Sequence, residues 1–351
     1  MKKILFFGEL PPKTIHGASI SNLINIKMLK KQFDVKVIEE YSNLKFHNKF
    51  SIGKVLSFFN SIIKLLKSCI NNNFNFLYGV IYLSTFGIIK NILVVLIFKC
   101  LNPKAKIYLH FHRSDFNNFI KDKVNLVLFR LLNLFIYEYI TLSDNQKKTF
   151  PFNCNLRTLY NTIQFEYIDL PISKEKDDYI LFLGNYIEEK GIFDLIKAVK
   201  KYNIKKQNSL RLICHGNIAN PIFYEKIKNY VGIDSNIILN GPIYDKNKME
   251  CIKHAKLLAL PSYNEGMPLI LLESMSLGTP VIITKVGFIN EALGEDYPLY
   301  CKIGNSDSII KCFENLSKID NIINFRENLK IIYNNKFSHK IHEVQLLTIF
   351  N

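Results

Sequence analysis

Short apolar runs of strand length alternate with longer stretches of helical period along the whole chain, the pattern of βαβ units stacked around parallel sheets. The expected fold class is therefore α/β. In the first half the runs predict strands at 3–7, 34–38, 76–83, 106–110, 139–142 and 157–160, with helices that include 19–31 and 119–137. In the second half they predict strands at 179–183, 210–215, 237–239, 257–260 and 280–284, and helices at 191–201, 245–254 and 268–277. The stretch 170–178, with Pro171 and clustered charge, has linker composition and divides the series near residue 172. This predicts two Rossmann-like, doubly wound domains, 1–171 and 172–335, followed by a terminal helix over 336–351. Tandem domains of this kind leave a cleft between the carboxyl ends of their sheets.

Two apolar segments could have another use. Ile52, Val55, Leu56, Phe59, Ile62, Ile63, Leu66, Cys69 and Ile70 recur at helical spacing, with Lys54, Ser57, Ser61, Lys64 and Ser68 opposite. A basic amphipathic helix on an anionic membrane has this pattern, but so does a helix packed on its own sheet, the commoner arrangement and the expectation here. Residues 74–98 are interrupted by Asn75, Gly79, Gly87, Lys90 and Asn91, which favours a buried strand followed by a buried helix over a membrane span. The opening apolar run stops at Gly8-Glu9, so it predicts a first strand and not an export signal.

Composition narrows the function. The 351 residues are 48% hydrophobic, which excludes a disordered chain. Lys and Arg total 46 against 30 Asp and Glu, a net +16, and residues 1–170 hold most of that excess. Such a balance points to an acidic partner: an anionic membrane surface or phosphorylated substrates. No helix-turn-helix or aromatic RNA-binding signature points to nucleic acid. The seven cysteines are far apart, without a Cys-x-x-Cys pair or a His at zinc spacing, so free thiols are expected. The chain also lacks G-x-G-x-x-G, a P-loop and an Asp-x-Asp pair, which argues against a dehydrogenase, a P-loop enzyme and a metal–diphosphate site.

The richest segment for chemistry is 260–282. A strand ends near Leu260, a loop with Gly266 follows, Pro268 sits where a first helical residue is tolerated, and Gly278 ends the helix. Backbone N–H groups of Gly266, Met267 and Leu269 would then point into the cleft, where the helix dipole favours a phosphate or a sugar oxygen. Glu265 lies in that loop and Glu273 a turn and a half into the helix, so the two acceptor-only side chains could hold two sets of sugar hydroxyls. The plainer alternative makes Glu265 a helix cap and Glu273 a solvated helix residue. Without an Asp-x-Asp metal site, leaving-group charge must meet cations such as Lys190 and helix N-termini. Gly17, at the start of a helix, lets a phosphate approach that N-terminus.

Pro-Ser-x-x-Glu-Gly-x-Pro, a second Glu after seven intervening residues, and Gly-Thr-Pro-Val-Ile together resemble the most characteristic segment of glycosyltransferase family four, a large retaining family of the GT-B fold. Gly8–Pro12 with His16–Ala18 resembles the family's first loop, 109–112 its central strand end, 160–163 the segment before its linker and 184–191 its donor-phosphate loop. The resemblance implies metal-independent, retaining transfer of a sugar from a UDP- or GDP-linked donor to a saccharide acceptor in surface polysaccharide assembly on a lipid carrier. It implies no cofactor, and a cytoplasmic enzyme peripheral to the inner face of the cell membrane.

By position, Glu273 would hold the donor ribose, Glu265 the donor sugar hydroxyls, the Gly266, Met267, Pro268 and Leu269 segment the sugar, and Lys190 the diphosphate. Asn185 stands where the family often has Arg. His112 would contact the donor sugar as a catalytic group beside Glu265, while His110, Arg113 and Asp115 face the acceptor. Residues 336–351 would cross back to the first domain. A sugar-nucleotide epimerase and a non-catalytic partner subunit share this fold and stand as alternatives.

Overall fold

Near-continuous apolar runs such as those at Lys3–Gly8 and Phe76–Val80 are buried on both faces, the environment that parallel strands require. In the computed structural model, which describes residues 1–40, 52–164, 177–207 and 210–351, they build two six-stranded sheets. The first contains β1 (Lys3–Gly8), β2 (Asp34–Glu39), β3 (Phe76–Val80), β4 (Lys106–His110), β5 (Glu138–Thr141) and β6 (Leu156–Thr158), ordered β2-β1-β3-β4-β5-β6. The second contains β7 (Asp177–Leu183), β8 (Arg211–His215), β9 (Ile237–Asn240), β10 (Ala255–Leu260), β11 (Val281–Thr284) and β12 (Tyr300–Cys301), ordered β12-β11-β10-β7-β8-β9. All the pairings are parallel. This is the α/β architecture of two Rossmann-like sheets that the alternating pattern predicts.

The chain forms two compact units, Met1–Thr162 with His339–Asn351, and Ile163–Ser338. The expected division near residue 172 falls outside the described residues. In each unit the strand order reverses beside the first strand, between β1 and β3 and between β7 and β10. Loops leaving the carboxyl ends at such a reversal diverge and leave room for a ligand.

Element ends differ from expectation for local reasons. The first helix begins at Gly17 because His16 caps it, its Nδ1 accepting the Ser19 N–H at 3.2 Å. The helix expected over 119–137 is two helices, Phe116–Phe119 and Lys123–Asn133, because Asp122 caps the Asn125 N–H and starts the second. β12 was not anticipated, since two residues carry no periodicity.

Alternate residues of β1 feed two cores. Leu5 and Phe7 share one core with side chains of the helices Ile52–Asn71, Thr85–Leu101 and Lys123–Asn133. Ile4 and Phe6 share the other with those of Gly17–Leu29 and His339–Phe350. Helix Ile52–Asn71 packs on its own sheet as expected, but most of the apolar stripe read from its spacing lies outside the core. It packs inward through Phe58, Leu65 and Cys69, while Leu56, Phe59, Ile63, Leu66 and Ile70 are exposed. Segment 74–98 resolves into β3 and part of the following helix, and no helix among the described residues is long and apolar enough to cross a membrane.

Helix His339–Phe350 is integral to the first unit. Phe350 is buried with its ring centroid 4.8 Å from that of Tyr108, 5.5 Å from Tyr78 and 5.6 Å from Phe76. Phe350→Ala removes this wedge and is expected to destabilise the unit by about 3 kcal/mol, read by urea unfolding; a change under about 1 kcal/mol would show that the helix is only appended.

Candidate functional site

The second unit brings two distant segments together because β7 and β10 are neighbours, with Leu257 opposite Ile180 and Leu258 opposite Leu181. The loops that leave their carboxyl ends, 184–191 and 261–268, are joined where the Tyr263 N–H donates to the Glu189 carbonyl at 2.8 Å. Gly191 has φ +67°, and a Cβ there would lie 2.0 Å from the Pro261 carbonyl oxygen. Gly287 has φ +59°, and its Cβ would lie 2.0 Å from the Glu265 carbonyl oxygen. Both glycines are therefore required for backbone to approach backbone.

Within this frame Lys190 Nζ donates to Glu265 Oε1 at 2.6 Å, so two residues singled out separately from the sequence form one ion pair. Glu273 is buried in helix Leu269–Ser276, and Lys248 Nζ donates to its Oε1 at 2.6 Å. Desolvation pushes the Glu273 carboxyl above the ordinary Glu range, and the Lys248 ammonium opposes that rise. Glu273 is thus not the solvated helix residue of the plainer reading. Lys248 was missed because it lies on a different helix, Asp245–His254, and nothing local marks its partner.

Pro268 stands at the N-cap of helix Leu269–Ser276, and its own side chain makes no capping hydrogen bond. Met267 and Leu269 are buried, whereas Gly266 and Pro268 are half-buried. Asn185 is exposed, and Asn217 Nδ2 donates to its Oδ1 at 3.4 Å. Among the described residues no cluster of three or more His, Cys, Asp or Glu has the arrangement of a metal site.

The first unit gathers histidines at the ends of β1 and β4. Because His16 Nδ1 accepts an N–H, its Nε2 carries the proton and donates to Glu9 Oε2 at 2.6 Å. Asn22 Nδ2 donates to the Glu9 carbonyl at 3.1 Å, which leaves its Oδ1 to accept from His112 Nε2 at 3.0 Å. Burial and the neighbouring His16 pull His112 down to about 3, with Glu9 opposing. Gly17 is exposed, and a Cβ there would meet no described atom within 4 Å. Arg113 and Asp115 form a bidentate ion pair with each other. Glu9, His16 and Asn22 are additions to the expected set; the first two lie in the stretch that carries the resemblance.

His110 is fully buried, with its ring centroid 4.3 Å from that of His112. Tyr78 hydroxyl lies 2.9 Å from His110 Nδ1 and accepts from Asn25 Nδ2 at 2.8 Å. Asn25 Oδ1 lies 2.7 Å from His342 Nε2, and His342 Nδ1 lies 2.6 Å from the Tyr160 carbonyl. A buried polar chain therefore runs from the terminal helix to β4. Both His342 nitrogens face acceptors, so both contacts are made only by an imidazolium or by the opposite orientation of the Asn25 amide. Desolvation pulls His342 down to about 4 and His110 well below the ordinary histidine value.

Residues 166–336 match the family described as Glycosyl transferases group 1. The putatively assigned teichuronic acid biosynthesis glycosyltransferase TuaC of Bacillus subtilis is 29% identical over 123 residues, 35% of this chain and 28% of that protein. The chain spans well under half the length of the curated relatives first matched. In fold it resembles Anabaena Alr3699/HepE, solved in complex with UDP, with TM-score 0.74, 15% identity and 99% of each chain covered. It also resembles sucrose-phosphate synthase of Thermosynechococcus elongatus, with TM-score 0.77, 12% identity and 100% and 98% of the two chains covered. The fold is accordingly that of GT-B proteins.

Two outcomes follow from this geometry. Gly191→Ala is expected to cost about 2–3 kcal/mol by forcing a strained φ against the Pro261 carbonyl, measured by urea unfolding. The depressed histidines make stability pH-dependent: native His110 and His342 stay neutral while the unfolded chain protonates below about 6.5. Their contribution is complete above that value and is lost as pH falls, by up to about 1.4 kcal/mol per pH unit for each ring. His342→Gln should lower the proton uptake on unfolding at pH 5 by about one, and an unchanged slope would contradict the assignment.

Proposed function

We propose, from the match of residues 166–336 to the glycosyl transferases group 1 family, that the chain is a retaining, metal-independent glycosyltransferase. Its donor is a UDP- or GDP-linked sugar and its acceptor a saccharide carried on a lipid, in surface polysaccharide synthesis at the inner face of the cell membrane. One observation carries this reading: two carboxylates, each with its own lysine, lie in the loop before and within the first turns of helix Leu269–Ser276. A sugar nucleotide needs that combination of hydroxyl acceptors, cations and a helix N-terminus. The UDP bound to Alr3699/HepE supports the donor class, and the teichuronic acid biosynthesis for which TuaC is named supports the pathway class.

In the proposed reaction Glu273, paired with Lys248, accepts the ribose hydroxyls. Glu265 accepts hydroxyls of the donor sugar, and Lys190 exchanges its contact with Glu265 for the diphosphate. The Gly266–Leu269 backbone positions the sugar, and Asn185 hydrogen-bonds the diphosphate. In the first unit, the open space at Gly17 admits a phosphate to the start of helix Gly17–Leu29, and neutral His112 contacts the donor sugar. The acceptor oxygen attacks the anomeric carbon from the face that the diphosphate leaves. The carbon–oxygen bond to phosphate breaks as the new glycosidic bond forms, and the acceptor proton passes to the leaving phosphate oxygen.

Melting temperature against UDP, GDP, ADP, CMP and NAD, with EDTA present, tests the donor site, because a ligand of the native state at about 100 times its Kd stabilises by about 2.7 kcal/mol. A shift with UDP or GDP alone is expected; no shift with any nucleotide would favour a non-catalytic partner subunit. Glu273→Gln should weaken nucleotide binding at least tenfold, and Glu265→Gln should lower kcat with a smaller effect on binding. Gly17→Leu should leave stability unchanged and raise the donor KM at least tenfold, whereas an unchanged KM would remove Gly17 from the site.

A further inference from the structure

Between Glu40 and Asp115 the chain contains no Asp or Glu. That stretch and the residues after it supply three adjacent helices on one face of the first sheet, Ile52–Asn71, Thr85–Leu101 and Lys123–Asn133, with Thr85–Leu101 between the other two. Together these helices hold seven Lys or Arg residues and no acidic one. Lys64, Lys67, Lys123 and Arg130 are exposed, whereas Lys90 turns inward to Glu40 and the Tyr82 ring.

Each helix presents an outward apolar stripe at spacings of three and four residues. The first stripe is Leu56, Phe59, Ile63, Leu66 and Ile70. The second is Phe86, Ile89, Leu93 and Leu96, and the third is Val124, Val127, Leu131 and the capping residue Leu134. These side chains are between 36% and 75% exposed, although the opposite sides of the same helices fill the core. Monomeric soluble proteins rarely expose apolar side chains so densely.

We propose that this three-helix face docks on an anionic lipid bilayer, the apolar stripes entering the headgroup boundary while the flanking cations meet lipid phosphates. Charge decides the occupant. A second copy of the same face would set cation against cation, and a coiled-coil partner of its own kind would lack the acidic residues that pair with lysines across such stripes. A bilayer rich in phosphate headgroups satisfies the apolar and the cationic parts together. The inference deepens the membrane part of the proposed function and rests on that part, not on the transfer reaction.

The chain has no tryptophan, so a single introduced one reports its own surroundings. Phe59→Trp and Leu93→Trp are compared with Ile204→Trp, an exposed position in the second unit. Vesicles are phosphatidylcholine alone or with phosphatidylglycerol, with brominated acyl chains as quencher. The expected result is blue-shifted, quenched emission from the two first-unit variants only. Affinity for the anionic vesicles should be at least tenfold higher than for neutral ones, and lowered at least tenfold by combined Lys64→Glu, Lys67→Glu and Arg130→Glu.

Equal recovery with both vesicle types, unquenched emission from Phe59→Trp and Leu93→Trp, or self-association abolished by Phe59→Ser would overturn the docking surface. The nucleotide-induced melting shift, read on the same samples, separates the two ideas. A protein that ignores vesicles but responds to UDP loses only the docking face, and one that binds vesicles without any nucleotide shift loses only the transfer reading.

Discussion

The parallel pairing of β7 with β10 puts two loops, separated by about seventy residues of chain, at the same edge of the second sheet. The other features of that site depend on how closely these loops approach. Their backbones touch at Gly191 and Pro261, and a third loop closes on Glu265 through Gly287. A side chain at either glycine would separate the segments by more than hydrogen bonding allows. The Lys190–Glu265 contact depends on this frame, which brings the two loops within reach of each other.

Charge is handled differently in the two units. In the second, the cations nearest the candidate site are matched to carboxylates, which lets Glu273 remain buried despite the cost of desolvation. In the first, the cations of the three outward helices have no acidic neighbours within those helices, and the excess remains on the surface. The same net charge therefore contains a local, ligand-sized arrangement and a broad field.

The histidines of the first unit show how a buried polar chain constrains a core. Asn25 and Tyr78 bridge β4 to His342, so the orientation of one amide sets which nitrogen of His110 holds its proton. Helix His339–Phe350 thus contributes both an aromatic wedge and a hydrogen-bonding terminus to the unit that begins the chain. His112, one step further out, has its tautomer set separately through Asn22 and Glu9.

Much of this was legible beforehand. Alternating strand and helix periods specify parallel sheets because they report which faces are buried, and the loop chemistry around Glu265 and Pro268 marks a helix start wherever that helix packs. Element ends were less legible where a capping residue was unusual, as with His16, or a strand was as short as β12. Periodicity also identified helix Ile52–Asn71 but not which side of it faces the sheet, since apolar residues occupy both sides. The sequence by itself determined the fold class, the helix start and the types of side chain available. Only the tertiary structure decided that Lys190 meets Glu265, that Lys248 meets Glu273 and that His342 reaches Asn25, because strand order and the packing of helices on the sheets join residues across crossovers that leave no local trace in the chain.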